Sequence, residues 1–440
     1  MRRDGERSSR AALGLAVALS GAGGLFGLSA CPSPRVPPMH EVVAARQPPR
    51  AGSTGSSKPV TAPPPTDTSS SPGAAVDAPA VDASPELKLP LVGRFPTLAA
   101  AFPVAPIGRW PTEVTAHPEL AAALGLGGLW LKRDDRSAEP YGGGKPRKLE
   151  LLFGRAVAEG RRTVITFGGV GSHHALATAL YAPRHGLSAV LMLLPQPRTP
   201  EVRRVLLASQ AAGAELVLAG SMTNALRLAN AREAAAPDEV MIIAAGGSEP
   251  LGNVGFVNAG FELAAQIARG DLPRPDVVVM ALGTMGSAIG LDIGLVAAGM
   301  PIDILAVRAS NRPISTWRKL ERMYAATVAL LRAADPTFPD VRVDPARLVV
   351  DDEHLGQGYA IPTLAGAAAT RLAAGHGLEL DPTYTAKAFA ALSDGAKRSL
   401  AGKTVLFWQS HAAQEPESDG IDPATLPAAL RGWVVPFRDR

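Results

Sequence analysis

The segment around Lys145 has the residue types needed to form a Schiff base with a carbonyl compound. Lys145 follows three glycines, Gly142 to Gly144, and directly precedes a helical run that starts at Pro146. The glycines give the lysine little steric cover, and the positive helix end with Arg147 and Lys148 favours the neutral amine. A neutral amine is the form that attacks a carbonyl. The alternative interpretation is a solvated basic helix start.

A second candidate site is a glycine-rich turn that could bind a phosphate group. It follows an apolar run and leads into the helical segment 288–298; its residues are Gly283, Thr284, Met285, Gly286 and Ser287. Glycines let several backbone N–H groups point at one spot, and the helix start adds roughly half a positive charge. The alternative is an ordinary tight turn, because most glycine-rich turns bind nothing.

A third turn, residues 168–174, joins another apolar run to a helix and ends in Ser172, His173 and His174. A dinucleotide-binding turn would require an acidic residue after the next strand, but that strand ends in Leu194-Pro195 with no acid. The paired histidines could bind a metal. Adjacent residues at a helix start point in different directions, however, and no carboxylate or thiol is near in sequence. We therefore expect neither NAD nor a metal here.

These turns are positioned by strands that alternate with helices from about residue 90 onward. The strands are predicted from short apolar runs at 163–167, 189–194, 215–218, 240–243, 276–282, 302–307 and 404–408. Helices are predicted at 146–159, before Gly160, and along an apolar stripe from Phe256 to Ile267, before Gly270. Such alternation predicts an α/β fold with parallel sheets, in which ligands bind at the carboxyl ends of strands.

The N-terminal residues have the composition of an export signal. Four arginines lie within residues 1–10, and residues 11–30 carry no charge. Leu28-Ser29-Ala30-Cys31 is similar to a bacterial lipobox, and Cys31 is the only cysteine, so no intramolecular disulfide is possible. We predict a lipoprotein signal peptide at 1–30 and lipidation of Cys31, which would anchor an exported protein to a bacterial membrane, periplasmic or outer. Pro32 and Ser33 mildly favour the outer membrane.

Residues 31–88 contain no aromatic residue and are rich in Pro, Ser, Thr and Ala. Such a segment cannot bury enough apolar surface to fold, so we predict a disordered linker. The remaining residues, 89–440, are predicted to form the folded domain. The net charge of +4 is small for 440 residues and no basic run is present, which argues against nucleic-acid binding.

Several motifs together resemble the family of 1-aminocyclopropane-1-carboxylate deaminase and D-cysteine desulfhydrase. The family pattern is K-R-E/D-D, G-G-N-K-x-R-K-L-E, S-N-H, a glycine-rich phosphate loop, G-Y-x-x-P, L-D-P-x-Y-T-x-K-A and a strand ending in T-G-G. The corresponding segments occur here in the same order, at Lys132–Asp135, Gly142–Glu150, Ser172–His174, Gly283–Ser287, Gly358–Pro362, Leu380–Ala388 and Ser410–Ala412.

The resemblance implies a tryptophan-synthase-β-like enzyme with pyridoxal 5'-phosphate bound in a cleft between two open parallel-sheet subdomains. The smaller subdomain would span about 147–252, and the larger about 89–146 plus 253–440. A homodimer is also implied, as is a small amino-acid substrate.

The resemblance also implies roles for individual residues. Lys145 is similar to the lysine that bonds to the cofactor, and Gly283–Ser287 to the loop that binds its phosphate. Ser172 and Tyr384 match residues placed for proton transfer. Ser410 matches the hydroxyl that faces the pyridine nitrogen, where a neutral group suits β-elimination. Thr385 stands where the deaminases carry Glu, which favours the desulfhydrase side.

Three positions depart from the family pattern near the implied cofactor. Gly144 and His173 each replace Asn, the latter an Asn that meets the cofactor's ring oxygen, and His411 replaces Gly. His173 can still donate a hydrogen bond, so it remains a candidate cofactor ligand.

We therefore expect a pyridoxal-phosphate-dependent lyase or deaminase that releases a keto acid and ammonia. The alternatives are a non-catalytic lipoprotein that binds the cofactor or an amino acid, and a β-replacement enzyme of the same fold.

Overall fold

The computed structural model describes residues 89–435, which belong to one compact unit of the chain. The predicted signal peptide, the lipidated Cys31 and the predicted linker lie outside the described residues, as do residues 436–440. Within the described range, no helix is both long enough and apolar enough to span a bilayer.

Ten strands and twelve α-helices are present among the described residues. The strands are β1 (Val114–Ala116), β2 (Gly128–Lys132), β3 (Thr163–Gly169), β4 (Ser188–Leu194), β5 (Glu215–Leu218), β6 (Val240–Ile242), β7 (Val277–Leu282), β8 (Asp303–Arg308), β9 (Leu348–Asp351) and β10 (Thr404–Trp408). The helices are α1 (Pro90–Arg94), α2 (Leu98–Ala101), α3 (Pro118–Leu124), α4 (Pro146–Ala158), α5 (His173–Tyr181), α6 (Pro200–Ala211), α7 (Met222–Ala235), α8 (Pro250–Arg269), α9 (Gly286–Ala297), α10 (Trp317–Ala334), α11 (Leu364–Ala374) and α12 (Thr385–Ala396).

The strands form two sheets. The smaller has four parallel strands in the order β5-β4-β3-β6, and the larger has six strands in the order β1-β2-β10-β7-β8-β9. Within the larger sheet β1 runs antiparallel to β2, and the remaining pairs are parallel. Because parallel strands are covered by helices on both faces, their sequences are continuously apolar, as in Val277–Leu282. The predicted α/β class with two parallel sheets is confirmed.

The chain forms part of the larger sheet, leaves it after β2, builds the smaller sheet, and returns at β7. All strands of the smaller sheet therefore lie between residues 163 and 242. The exact subdomain bounds, 147–252 against 89–146 plus 253–440, stay predictions.

Helix α8 packs closely on α9. A Cβ on Gly260 would lie 2.7 Å from the Cα atom of Gly294, so the two backbones approach as only glycines allow. The apolar stripe in the sequence marked the second half of this helix. The helix begins earlier, at Pro250, and ends as predicted before Gly270, which has a left-handed φ of 82°.

The seven predicted strands are present, with ends within two residues of those expected. Strands β1, β2 and β9 were not predicted. Each has only three to five residues and is flanked by charged residues. An apolar run this short cannot be distinguished from a loop by its sequence pattern.

Candidate active site

A cavity of about 340 Å³ lies where the carboxyl ends of β3 and β7 meet the start of α4. This is the position that parallel sheets favour for ligands. Among the residues that form its wall are nine of the predicted site residues: Lys145, Ser172, His173, Gly283, Thr284, Met285, Ser287, Tyr384 and Ser410. The tenth, Gly286, is not part of the wall but is the first residue of α9, directly behind it.

Lys145 is the last residue before α4, so its side chain enters the cavity from a rigid helix start. The turn before it requires glycine, because Gly143 has a φ of 91° and a Cβ there would lie 2.7 Å from the carbonyl oxygen of Ser410. Burial lowers the pKa of Lys145, and the opposing attraction of Asp381 offsets this only in part. The site therefore favours the neutral, nucleophilic amine.

The cause of this lowered pKa differs from the sequence expectation. Burial is the main cause, whereas the guanidinium of Arg147 is bound elsewhere and does not act on Lys145. Lys148 does not lower the pKa of Lys145 either; the effect runs the other way, because the charge of Lys145 adds to burial in lowering the pKa of Lys148.

Arg147 belongs to a buried ion network that holds α4 against the larger sheet. Its guanidinium lies 2.7 Å from Asp134 and 2.9 Å from Glu262, and Lys132 donates to the same Glu262 carboxylate. Trp408 donates from Nε1 to Asp134 across 2.8 Å. The motif Lys132–Asp135 is thus structural, because it fixes the helix that presents Lys145.

The start of α9 has the properties of a phosphate site. The first N–H groups of a helix have no carbonyl partner within it and point outward. Thr284 Oγ1 lies 2.6 Å from Ser248 Oγ, and Lys148 Nζ donates to the Ser248 hydroxyl across 2.8 Å. Met285 precedes the helix with a left-handed φ of 73°, which turns the chain sharply at this point.

The residues around this helix start fit pyridoxal 5'-phosphate. A Cβ on Gly286 would lie 2.8 Å from Lys148 Nζ. Because Gly286 has no side chain, the ammonium group of Lys148 can lie close to the start of α9. A buried lysine, two hydroxyls and free N–H groups suit a phosphate dianion. Lys145, the amine that would bond to the aldehyde, lies in the wall of the same cavity.

Ser172 and His173 begin α5 at the cavity wall. The Ser172 hydroxyl accepts the backbone N–H of Ala175 as a helix cap, so it is held in place. His173 Nδ1 is hydrogen-bonded to the hydroxyl of Tyr141, and its Nε2 lies 3.0 Å from Glu201 Oε1. No carboxylate is near the paired histidines in sequence, but folding brings Glu201 of α6 to His173.

His411 follows β10 and faces His173, with ring centroids 5.3 Å apart. Its Nδ1 lies 4.0 Å from the carboxylate of Asp381. Burial lowers the pKa of His411 despite that carboxylate. Burial would raise the pKa of Asp381, but the charges of His411 and His173 and hydrogen bonds from Thr385 bring it below its usual value.

Tyr384 is held between two groups at the cavity wall. Its backbone N–H donates to Asp381 across 2.8 Å, and its phenol is hydrogen-bonded to that of Tyr359, with ring centroids 6.0 Å apart. Burial, with the neighbouring phenol, raises the pKa of Tyr384 well above its usual value. The phenol therefore keeps its proton at neutral pH and can donate it.

Ser410 and Thr385 have different positions relative to the cavity. Ser410 lines the cavity, and its carbonyl accepts the N–H of Gly144 across 3.2 Å, which ties β10 to the lysine turn. Thr385 does not line the cavity; it is buried, and its hydroxyl donates to Asp381 across 2.7 Å. Its effect on specificity would therefore pass through Asp381 and Tyr384.

Sequence reasoning missed four residues of this site: Lys148, Glu201, Tyr359 and Asp381. The spacing of Lys145 and Lys148 was a usable signal, because residues three apart share a helix face. Tyr359 and Asp381 lie within the motifs Gly358–Pro362 and Leu380–Ala388, but no role was assigned to them. Glu201 has no local signal, since only folding brings it to His173.

Comparison with known proteins agrees with this geometry. The sequence profile of the family described as "Pyridoxal-phosphate dependent enzyme" matches residues 106–410. A Pyrococcus abyssi protein that carries the provisional name 1-aminocyclopropane-1-carboxylate deaminase is 32% identical over 317 residues, 70% of this chain and 92% of the relative. A D-cysteine desulfhydrase of Salmonella choleraesuis is 32% identical over 308 residues, 67% of this chain and 88% of the relative.

Among solved structures, the crystal structure of a homologue of 1-aminocyclopropane-1-carboxylate deaminase is similar, with a TM-score of 0.63 and 29% identity. The match covers 72% of this chain and 94% of that structure. The cavity with its lysine and a helix start suited to a phosphate, and the family match over residues 106–410, lead to one conclusion: the chain belongs to the family of pyridoxal-phosphate-dependent enzymes.

Proposed function

We propose that this protein is a lyase or deaminase that removes the β-substituent and the amino group of a small amino acid, giving a keto acid and ammonia. The carrying observation is that Lys145, the helix start of α9 and Tyr384 face one cavity. The relatives named for 1-aminocyclopropane-1-carboxylate deaminase and D-cysteine desulfhydrase support this class of reaction.

Bound pyridoxal phosphate would supply an electron sink for the negative charge left when the α-proton is removed. The protein's own groups account for the proton movements. Lys145, with a lowered pKa, accepts the α-proton, and Ser172 is a second candidate for this transfer. Tyr384, with a raised pKa, holds a proton that it can donate to the departing β-substituent.

The cavity favours a small substrate. Its volume of about 340 Å³ must hold cofactor and amino acid together, and His173, His411 and Tyr384 occupy part of its wall. The neutral hydroxyl of Ser410, if it faces the pyridine nitrogen, suits β-elimination. A D-cysteine-like substrate, which would yield sulfide, is our first candidate.

The first experiment is the visible absorption spectrum of the full chain with added pyridoxal phosphate, beside Lys145→Ala. We expect an absorption band of lysine-bound cofactor in the parent, fixed by borohydride, and its loss in the variant. A panel of D- and L-amino acids is then assayed for keto acid and sulfide. Cofactor binding with silence on the whole panel would overturn the lyase proposal.

That last result would favour the second candidate, a non-catalytic protein that binds the cofactor or an amino acid. The observation behind it is that His173 and His411, which depart from the family pattern, both face the cavity. Exchange of the substrate α-proton with solvent separates the two, because it requires a working proton acceptor, Lys145 or Ser172.

We also propose that the protein works as an exported lipoprotein and as a homodimer. The arginine-rich start, the apolar run and Cys31 support export and anchoring. The dimer rests on family resemblance, and light scattering of the purified protein tests it.

A further inference from the structure

Three side chains with metal-binding atoms meet at the edge of the cavity: His173 at the start of α5, Glu201 in the first turn of α6, and His411 after β10. One ligand atom from each lies within 4.8 Å of the others. These elements are far apart in sequence, so the cluster is a product of the fold. His173 and His411 also line the cavity that contains Lys145.

We propose that His173, Glu201 and His411 bind one divalent cation of the Zn²⁺ class at this edge of the cavity. Imidazole nitrogens and a carboxylate oxygen are ligands that Zn²⁺ prefers. Three protein ligands with one open position is the arrangement typical of catalytic rather than structural zinc sites.

The environment of the Glu201 carboxylate favours a bound cation over a simple ion pair between Glu201 and His173. Its Oε1 is buried and lies 3.0 Å from His173 Nε2, yet it has no hydrogen-bond donor among the described residues. A buried carboxylate oxygen without a donor is costly. A cation between the two groups would bind both the oxygen and the nitrogen.

The outer partners of the histidines fit the same interpretation. His173 Nδ1 is hydrogen-bonded to Tyr141, which leaves Nε2 for the cation. Asp381 lies 4.0 Å from His411. The hydrogen bond of His173 is the kind of outer contact that metal-binding histidines usually have, whereas Asp381 lies beyond hydrogen-bond distance of His411 and acts on that ring through its charge. The three side chains are also shielded, with exposures of 14%, 20% and 25% for His173, Glu201 and His411.

The cation accounts for two departures from the family pattern at once. His173 stands where the pattern has Asn, and His411 where it has Gly, and the two rings meet with centroids 5.3 Å apart. A shared ligand explains why both positions carry imidazole.

The consequence for catalysis rests on the proposed function. The open coordination position would face the bound amino acid, where it could accept a lone pair from a sulfur or oxygen β-substituent. As the bond from the β-carbon breaks, its electron pair goes to that atom, and the cation stabilises the resulting charge.

Zinc binding is tested on the purified full chain loaded with pyridoxal phosphate. The protein is stripped with a chelator, dialysed against micromolar Zn²⁺, and its metal content measured beside His411→Gly, His173→Asn and Glu201→Gln. We expect one equivalent in the parent and at least tenfold weaker binding in each variant. His376→Asn, which removes a histidine outside the site, should bind as the parent does.

Two controls separate this inference from the proposed function. Lys145→Ala should lose the cofactor's absorption band and keep zinc, whereas His411→Gly should lose zinc and keep the band, which also shows that it folds. Replacing Zn²⁺ by Co²⁺ should give visible bands that change when a thiol amino acid is added. Equal metal content in the parent and all three site variants would overturn the proposal, whether or not the protein is active.

Discussion

Two lysines one helical turn apart, the half-buried Lys145 and the buried Lys148, have different partners in this site. Lys145 faces the cavity and carries only a distant attraction from Asp381, whereas Lys148 donates to Ser248 at the start of α9. Burial lowers the pKa of both, and the positive charge of Lys145 lowers that of Lys148 further. A phosphate dianion at the helix start would favour the charged form of Lys148 and leave Lys145 as the neutral amine.

Lys148→Met should therefore weaken binding of pyridoxal phosphate without abolishing the bond to Lys145. Loss of one charge-assisted hydrogen bond corresponds to roughly 10- to 100-fold in the dissociation constant. Titration of the visible band with cofactor measures it. Lys403→Met, at an exposed lysine, is the matched control. Unchanged affinity in Lys148→Met would mean that the phosphate binds without this lysine.

Tyr384→Phe tests the proton donor. The phenol is protonated at neutral pH, as a tyrosine with a pKa at or above its usual value is, and it lies at the cavity wall, so its removal should lower kcat by about 10²- to 10⁴-fold while the cofactor band remains. Tyr324→Phe is the control, since this buried phenol donates to Asp292 away from the cavity. That variant should lose about 1 kcal/mol of stability and no activity. A Tyr384→Phe enzyme with normal kcat would exclude the role.

At the level of elements, the site depends on where three helices begin. The starts of α4, α5 and α9 place Lys145, Ser172 and the N–H groups proposed to bind the phosphate at the cavity. Helix α4 is fixed by the buried ion network of Lys132, Asp134, Arg147 and Glu262, which joins it to β2 and α8. The stability of that network therefore determines how precisely Lys145 is placed.

Glu262→Gln should destabilise the fold in a pH-dependent way. Burial opposes the charge of Glu262, but Arg147 and Lys132 lower its pKa from 4.5 to about 2. A depressed pKa stabilises the folded state above pH 4.5, and this contribution is lost as pH falls towards 2. We expect a loss of about 3 kcal/mol at neutral pH, measured by urea unfolding, that shrinks below about pH 4.5.

The control for that variant is Glu215→Gln, which breaks an exposed pair with Arg232. It should cost less than about 1 kcal/mol at neutral pH. If Glu262→Gln costs no more than this control, the network does not hold α4.

At the level of the whole molecule, the sequence predicts those features of the fold and the site that are determined by residues close together in the chain. Continuous apolar runs marked seven strands, Pro146 marked the start of α4, and the order of motifs identified the cofactor class. The meeting of His173, Glu201 and His411 was not predictable, because it depends on packing between distant segments. The role of Lys132–Asp135 was missed for the same reason: its charges look like surface groups until Glu262 of α8 is placed beside them.

The location of the whole chain depends on whether Cys31 is lipidated. If Cys31 carries lipid, the full chain expressed in a bacterium with an outer membrane should sediment with membranes and incorporate labelled palmitate, since each buried methylene adds roughly 0.8 kcal/mol. Cys31→Ser should lose the label and leave the membrane fraction or remain unprocessed, whereas Ser33→Ala should behave as the parent. The folded domain should bind pyridoxal phosphate equally in all three, because residues 89–435 contain the whole cavity. A soluble, unlabelled parent with its N-terminus intact would contradict the anchor and leave the enzymatic proposal unaffected.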